Sequence, residues 1–212
     1  MLMFFLMIVG IIYVEQGQRR IPIQFAKRVR GRKVMGGQST YIPLKVNSAG
    51  VIPVIFATSI LFFPALVATS LPQDNSVTAA IRNWIDVNLA NSQGTTWFYI
   101  FFLGILIIFF TYFYTTIQFD PVRQSDMIRR QGGFVPGVRP GISTTNYLSH
   151  IINRITLPGS IFLASVAVLP SIASAIWDIP LGFSGISILI TVGVALETMK
   201  QIESQLSMRN YE

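Results

Sequence analysis

The stretch WFYIFFLGILIIFFTYFYTTIQF, Trp97 to Phe119, decides the fold class of this chain. It contains no charged residue from its first tryptophan to its last phenylalanine. A helix needs about 20 consecutive apolar residues to cross the hydrocarbon core of a bilayer, and an unpaired charge near its middle would be costly. The stretch therefore predicts a membrane-spanning helix.

The composition of the whole chain agrees with a membrane protein. Of its 212 residues, 51% are hydrophobic and only 12% are charged, whereas soluble domains carry about 25% charged residues. The formal net charge is +7, so the few charges are mostly positive. The chain has no Cys and one His, which excludes disulfides and argues against thiolate or histidine metal sites. The sequence predicts neither a metal nor a cofactor.

Four further apolar segments can be recognised along the chain: Met1–Val14, Val46–Leu71, Ile155–Ile176 and Pro180–Met199. The first is short for a span and is interpreted as a truncated transmembrane helix. Several segments contain Pro or Gly, which membrane helices tolerate because neighbouring helices and hydroxyl side chains satisfy the freed backbone groups. We expect an all-α polytopic membrane protein with five transmembrane helices.

Lys and Arg alternate between the segments that join these helices. Glu15–Lys45 and Asp120–Arg154 are rich in them, whereas Pro72–Thr96 has a single Arg and Trp177–Ile179 has none. Because loops rich in Lys and Arg stay on the cytoplasmic side, the two basic segments are expected to be cytoplasmic loops and the other two to face outside. The same rule puts the tail, residues 200–212, in the cytoplasm.

The first basic loop has the pattern of a β-ribbon. Ile21, Ile23 and Phe25 alternate with polar residues, which indicates a strand, and Ser39–Val46 is interpreted as extended chain. Four cations fall near the expected tip of this ribbon: Arg28, Arg30, Arg32 and Lys33. The tip suits RNA phosphates, anionic lipid or an acidic protein face. A topology determinant that touches lipid headgroups explains the same charges equally well.

The second basic loop begins with the signature of a short helix. Asp120 can cap that helix, with Pro121 at its first position. The helix is expected to reach about Gln131, since Gly132 and Gly133 follow it.

The sequence FVPGVRPG, Phe134 to Gly141, comes next and contains one cation, Arg139, between two Pro-Gly pairs. Pro and Gly at such positions fix turns, so Arg139 should project from a stiff loop, as a docking residue would. Ser143 or Thr144 is expected to cap the helix that leads into the next span.

These loops are similar to those of the SecY family of protein-conducting channels. The resemblance is carried by FVPGVRPG, by GRKVMGGQSTYIPLKVN from Gly31 to Asn47, and by EQGQRRIPIQFAKR from Glu15 to Arg28. With the hydropathy pattern, it covers nearly the whole chain. It implies that the five segments correspond to helices six to ten of a ten-helix channel, so the chain would be the C-terminal half.

The resemblance also implies roles for individual residues. Val46–Leu71 and Trp97–Phe119 would form one side of a lateral gate through which signal sequences and membrane segments leave. Ile55 and Ile190 match positions of the pore ring, and Phe63 matches a position near the gate. The residues that match the docking sites for a motor ATPase or ribosome are Arg32, Lys33 and Arg139. A narrow ring of apolar side chains resists hydration, so it can close around a polypeptide and hold back ions.

The same resemblance implies the partners and the location. A channel half would assemble with the N-terminal half, with small SecE- and SecG-like membrane subunits, and with a SecA-like motor ATPase or the ribosome on the cytoplasmic side. Its substrates would be secretory polypeptides. The surrounding bilayer would be the bacterial cell (inner) membrane, crossed several times, with the C-terminus in the cytoplasm.

Two other functions are compatible with parts of the sequence. A secondary transporter needs ionisable residues near the bilayer midplane. The closest candidates are Glu197 and Lys200, whose i,i+3 spacing suggests a local ion pair at a helix end. An intramembrane serine protease could use Ser184 with His150, but the predicted topology separates them by about 30 Å, the thickness of the hydrocarbon core. We expect no enzyme, so energy must come from a partner.

The outer loop holds one more predicted element. Residues Val77 to Leu89 have apolar side chains at helical spacing. They predict a short helix, which either lies in the outer membrane interface or packs on the channel mouth.

Overall fold

The structure, a computed structural model, describes residues 2–25, 28–30, 33–35, 39–70, 76–89, 96–177 and 185–209. These residues form seven helices and five short strands. The helices are α1 Leu2–Gln16, α2 Ile52–Ser70, α3 Ser76–Asn88, α4 Trp97–Gln118, α5 Pro121–Arg130, α6 Ile142–Trp177 and α7 Gly185–Arg209. The strands are β1 Gln18–Phe25, β2 Arg28–Arg30, β3 Lys33–Met35, β4 Ser39–Lys45 and β5 Gly133–Phe134.

Four of the helices, α2, α4, α6 and α7, are long and apolar enough to cross a membrane. The fifth predicted span corresponds to α1, a shorter apolar helix of 15 residues. The polytopic helical fold predicted from the sequence is therefore confirmed. Two helices continue past their apolar segments, since α6 begins at Ile142 and α7 reaches Arg209. Hydropathy locates the part of a helix that lipid can surround, but polar residues can continue the same helix into water.

The core of the helical bundle is built around α6. This helix crosses α4 over a long contact and also touches α1, α2 and α7. Leu163 on α6 is fully buried together with Leu103 and Ile107 on α4 and Leu189 on α7. The rings of Phe56 and Phe110 stack at 5.9 Å and join α2 to α4. Apolar packing of this kind makes up most of the buried core of the bundle.

The bundle leaves a wide apolar surface uncovered. The accessible surface is 14485 Å², whereas a compact soluble monomer of this mass exposes about 9,800 Å². The α2 and α4 spans each have only 28% of their residues buried, against 56% for the α6 span. Exposed apolar patches of this size are covered by lipid or by protein partners.

The first basic loop forms the predicted ribbon. Strands β1 and β4 pair antiparallel, with Gln18 opposite Lys45 and Gln24 opposite Ser39. Strands β2 and β3 form a second antiparallel pair towards the tip, with Arg30 opposite Lys33. The alternation of Ile21 and Ile23 with polar residues does mark one buried face, because both side chains are at most 3% exposed.

The second basic loop adds to the same sheet, which the sequence did not predict. Strand β5 pairs antiparallel with β1, so that Gln24 faces Phe134 and Phe25 faces Gly133. A separate apolar core joins the sheet to α5 and to the first turns of α6. Its buried members are Ile21, Ile23, Leu44, Ile128, Val135, Leu148 and Ile151. We call β1, β4, β5, α5 and the first turns of α6 the loop domain.

Candidate functional site

The loop that carries Arg139 is held by hydrogen bonds on both sides of that residue. Before it, the Val138 N–H donates to the Val135 carbonyl at 3.1 Å. After it, the Thr144 hydroxyl donates to the Arg139 carbonyl at 2.9 Å. Gly137 and Gly141 adopt positive φ angles of 82° and 110°, which other residues rarely adopt. The backbone is therefore fixed, while the Arg139 side chain itself is exposed.

The same loop is attached to α5, which begins as predicted. Asp120 caps α5 by accepting from the backbone N–H groups of Val122 and Arg123. From within α5, the buried Ser125 hydroxyl donates to the Gly141 carbonyl at 3.1 Å. The Arg139 loop therefore rests on a capped helix, and the helix rests on the core of the loop domain.

The prediction that Ser143 or Thr144 caps the next helix is wrong. The helix α6 already begins at Ile142, and the Gly141 carbonyl accepts the backbone N–H groups of Thr144 and Thr145. Thr144 is only 2% exposed and its hydroxyl turns back to the Arg139 carbonyl. Thr144 therefore braces the loop that carries Arg139 instead of capping α6.

The ribbon tip is described only in part. Arg32 lies outside the described residues, and for Lys33 the structure describes the backbone, in β3, but not the side chain. What it does describe is the base of the ribbon, where Gly133 packs against β1. A Cβ atom on Gly133 would lie 3.0 Å from Ile23 Cγ2 and 3.0 Å from Phe25 Cε1. Strand β1, which leads towards the tip, and the segment that leads into the Arg139 loop are thus packed together.

The two predicted pore residues lie on α2 and α7, which approach each other at the start of α2. Val51, just before α2, approaches α7 at Gly193, where a Cβ atom would be 3.4 Å from Val51 Cγ2. Ile55 follows Val51 by one helical turn, and Ile190 precedes Gly193 by just under one turn. Because successive spans cross the membrane in alternate directions, α2 and α7 are antiparallel. The step from Val51 to Ile55 and the step from Gly193 to Ile190 therefore lead in the same direction across the membrane. Ile55 is 47% exposed and Ile190 is 37% exposed.

Phe63 lies further along α2 than Ile55. Eight residues separate them, which corresponds to about 12 Å along a helix. The Phe63 side chain is 66% exposed, immediately before Pro64. The opposite face of α2, with Val54, Ala57 and Leu61, is buried in the bundle. Phe63 is therefore on the uncovered face of the helix, away from Ile55 and Ile190 along the axis.

A polar cleft near the start of α2 has no counterpart in the sequence predictions. It has a volume of about 360 Å³, and its polar lining includes Glu15, Lys45, Asn47, Tyr114, Gln118, Glu197 and Lys200. The Asn47 side-chain amide donates to Glu15 Oε2 at 2.9 Å and links the end of α1 to the approach to α2. Asn47 is only 5% exposed, and its Oδ1 has no protein partner. A single sequence gives no signal that these distant residues meet.

The residues named for rival functions do not assemble into a site. In the part of the chain that the structure describes, Glu197 and Lys200 do not form the predicted ion pair, although both line the polar cleft. Both side chains are exposed. Ser184 lies outside the described residues. Within the described ranges, no three His, Cys, Asp or Glu side chains group as metal ligands would.

Comparison with known proteins identifies the family. The family model described as SecY matches residues 1–199. The protein translocase subunit SecY of Streptomyces scabiei is 51% identical over 212 residues, which cover 97% of this chain and 46% of that protein. The SecY subunit of Mycobacterium tuberculosis (strain H37Rv) is 48% identical over 215 residues, which cover 98% of this chain and 48% of that protein.

Solved structures show the same fold at lower sequence identity. A SecY translocation channel matches with a TM-score of 0.59 at 19% identity, over 95% of this chain and 48% of that one. A protein-conducting channel matches with a TM-score of 0.59 at 17% identity, over 94% of this chain and 47% of the other. The chain spans about half the length of the curated relatives it matches. Since the family match extends over nearly all of its residues, this chain belongs to the SecY family.

Proposed function

We propose that this chain forms the C-terminal half of a SecY-type protein-conducting channel. Such a channel passes unfolded secretory polypeptides across the membrane and releases membrane segments sideways. The observation that carries the proposal is an identity of about half with translocase subunits along 97% of the chain. The apolar surface that the bundle leaves uncovered also supports it, because the C-terminal half of a channel needs one face for lipid and another for the N-terminal half.

The pore of this proposal runs along α2 and α7. Ile55 and Ile190 would contribute to an apolar ring, since each lies about one turn from the point where Val51 and Gly193 approach each other and both side chains are partly exposed. A branched apolar side chain makes no hydrogen bond to a passing peptide, so it can contact substrates of any sequence. The same apolar constriction resists filling with water and ions when no substrate is present.

The lateral gate would be formed by α2 and α4. These helices pack on each other through Phe56 and Phe110, while Phe63 projects from the uncovered face of α2. A partner wall from the other half would meet this face and separate from it to release a membrane segment. Both walls of the gate need apolar surfaces, because an open gate exposes these surfaces to lipid and not to water.

Docking would use the loop domain. Arg139 projects from a braced loop, and the family resemblance gives Arg32 and Lys33 the same role. A cation on a fixed loop binds an acidic or phosphate surface with little loss of conformational entropy. The partner would be a SecA-like motor ATPase or the ribosome, and it would supply the energy, since we propose no catalytic role for this chain.

The orientation and the other partners follow from the same proposal. The basic loop domain would face the cytoplasm, together with the C-terminus at the end of α7. The membrane would be the bacterial cell (inner) membrane. The assembly would include the N-terminal half and SecE- and SecG-like small subunits, which would cover part of the apolar surface of the bundle.

A transport assay tests the proposal. Vesicles are prepared with this chain, its N-terminal counterpart and the small subunits, and are supplied with motor ATPase, ATP and a secretory precursor. We expect the precursor to become protected from added protease. Vesicles that lack only this chain provide the control. Protection that does not depend on this chain, in vesicles where the complex is confirmed to assemble, would contradict the proposal.

A further inference from the structure

The outer helix α3 presents most of its apolar side chains away from the core of the bundle. Val77, Ile81, Trp84 and Val87 are 47–68% exposed. On the side turned towards the bundle lie Arg82, whose side chain is 28% exposed, and the half-buried Ile85. A surface helix in water normally shows the opposite arrangement, with its apolar stripe facing the core. Something other than water must therefore cover the outer face of α3.

The position of α3 along the chain shows what meets this face. The helix connects the end of α2, at Ser70, to the start of α4, at Trp97, so it lies at the level where two consecutive spans leave the membrane. It packs on α2. The Thr96 hydroxyl donates to the Val87 carbonyl at 3.0 Å and joins the last turn of α3 to the approach to α4. The helix is thus tied at the boundary and does not project from it.

Aromatic contacts make the outer face of α3 continuous with a span. The rings of Trp84 and Phe98 meet edge to face at 5.7 Å, and the rings of Phe98 and Phe102 stack at 6.1 Å. Phe98 and Phe102 are themselves 43% and 41% exposed on α4. A continuous aromatic strip therefore runs from the outer face of α3 down the uncovered side of a membrane helix. Trp is the residue that best suits the membrane–water interface, because its ring is amphipathic.

We infer that α3 is a lipid-binding interfacial helix, with Val77, Ile81 and Trp84 inserted among the lipid acyl chains and headgroups of the outer leaflet. Its polar side chains suit this location. Asn83 and Asp86 are exposed on other faces of the helix, and Asp86 also pairs with Arg82 at 3.8 Å. The pairing allows Arg82 to lie close to the bundle without an isolated charge. The helix would fix the tilt of α2 and α4 relative to the bilayer surface, whatever polypeptide the protein transports.

Spin labelling of single cysteines tests this inference directly, because the chain contains no Cys of its own. The variants Ile81→Cys and Asn83→Cys form a matched pair, since both positions are exposed but they point in nearly opposite directions around α3. The complex is isolated from membranes, labelled with a nitroxide and reconstituted in vesicles of phosphatidylglycerol and phosphatidylethanolamine. Collision rates are measured with oxygen, which partitions into lipid, and with a water-soluble nickel chelate.

The expected result is a reversal between the two positions. The label at Ile81 should collide several-fold more with oxygen than the label at Asn83, and several-fold less with the nickel chelate. Equal access of the nickel chelate to both labels would mean that the outer face of α3 is in water, and would overturn the inference. Exclusion of both reagents at Ile81 would also overturn it, because a protein partner would then cover the face. None of these readouts requires transport, so they do not depend on the proposed channel function.

Discussion

Adding one methyl group at Gly159 should weaken the junction between the loop domain and the spans. Gly159 is in α6, where an added Cβ would lie 2.5 Å from the carbonyl oxygen of Val46. Val46 is the residue after β4, and its own N–H donates to the Gly17 carbonyl at 3.0 Å. The close approach therefore fixes α6 against the point where the ribbon joins the bundle. The substitution Gly159→Ala tests it.

The size of the effect follows from the distance. An ordinary contact lies at 3.4 Å or more, so the backbone must retreat by roughly 0.9 Å, and overpacking of this kind costs about 1–3 kcal/mol. Gly104→Ala is the matched control, because Gly104 is also in a span and a Cβ there meets nothing within 4 Å. Both variants gain the same helix propensity, about 1 kcal/mol. The difference between them therefore isolates the clash.

The assay is thermal unfolding of the purified complex in detergent, followed by intrinsic fluorescence. A difference of 1–3 kcal/mol corresponds to a midpoint for Gly159→Ala that is about 2–12 °C below that of Gly104→Ala. If the two variants unfold at the same temperature, the close approach of α6 to Val46 does not exist and the reasoning fails. The wild-type midpoint should lie below that of Gly104→Ala, which gains helix propensity without a clash, and at or above that of Gly159→Ala.

Three further substitutions test separate parts of the structure. Ile23→Ala should destabilise the loop domain by about 2–5 kcal/mol, measured as faster proteolysis of the ribbon, because Ile23 is 3% exposed in its core; equal resistance would contradict that core. Arg139→Glu should weaken binding of motor ATPase or ribosomes at least about tenfold, or 1.4 kcal/mol, whereas Arg139→Lys should keep most of the binding. Equal binding by the wild type and both variants would mean that Arg139 is not part of the docking surface. Asn47→Asp should lower the free energy of unfolding by about 1–3 kcal/mol, because a carboxylate replaces the amide that donates to Glu15. Adding Glu15→Gln should restore the stability, and a failure of this rescue would mean that the two side chains do not interact.

The sequence predicted the membrane helices and the local secondary structure of the loops well. Trp97–Gln118 forms α4 almost over the stretch that hydropathy selects, since a charge-free run of that length has few other stable structures in lipid. Asp120 and Pro121 begin α5 as expected, because capping depends on residues that are adjacent in the chain. The alternation of Ile21 and Ile23 predicted a buried strand face for the same reason.

Contacts between distant residues could not be predicted in this way. The pairing of β5 with β1, the bond from Ser125 to the Gly141 carbonyl and the link from Asn47 to Glu15 all join separate parts of the chain. The prediction of a helix cap at Ser143 or Thr144 failed because the local sequence is the same in both cases. It does not show whether a hydroxyl accepts a hydrogen bond from an N–H of its own helix or donates one to a loop carbonyl, as Thr144 does. Ile55, Ile190 and Phe63 came from the family resemblance, since an Ile or Phe in a membrane helix has no distinctive pattern of its own.

Crosslinking from Ile55 to a polypeptide in transit tests the channel account most directly. A single Cys is placed at Ile55 in the complex assembled with its N-terminal half, and a secretory polypeptide with one Cys is stalled during translocation. Ile161, on α6, provides the control, since it is the same residue type and is 52% exposed against 47% for Ile55. The account predicts a disulfide crosslink at Ile55 and none at Ile161. Equal crosslinking at both positions, or none at Ile55 in a complex confirmed to hold the stalled chain, would contradict it.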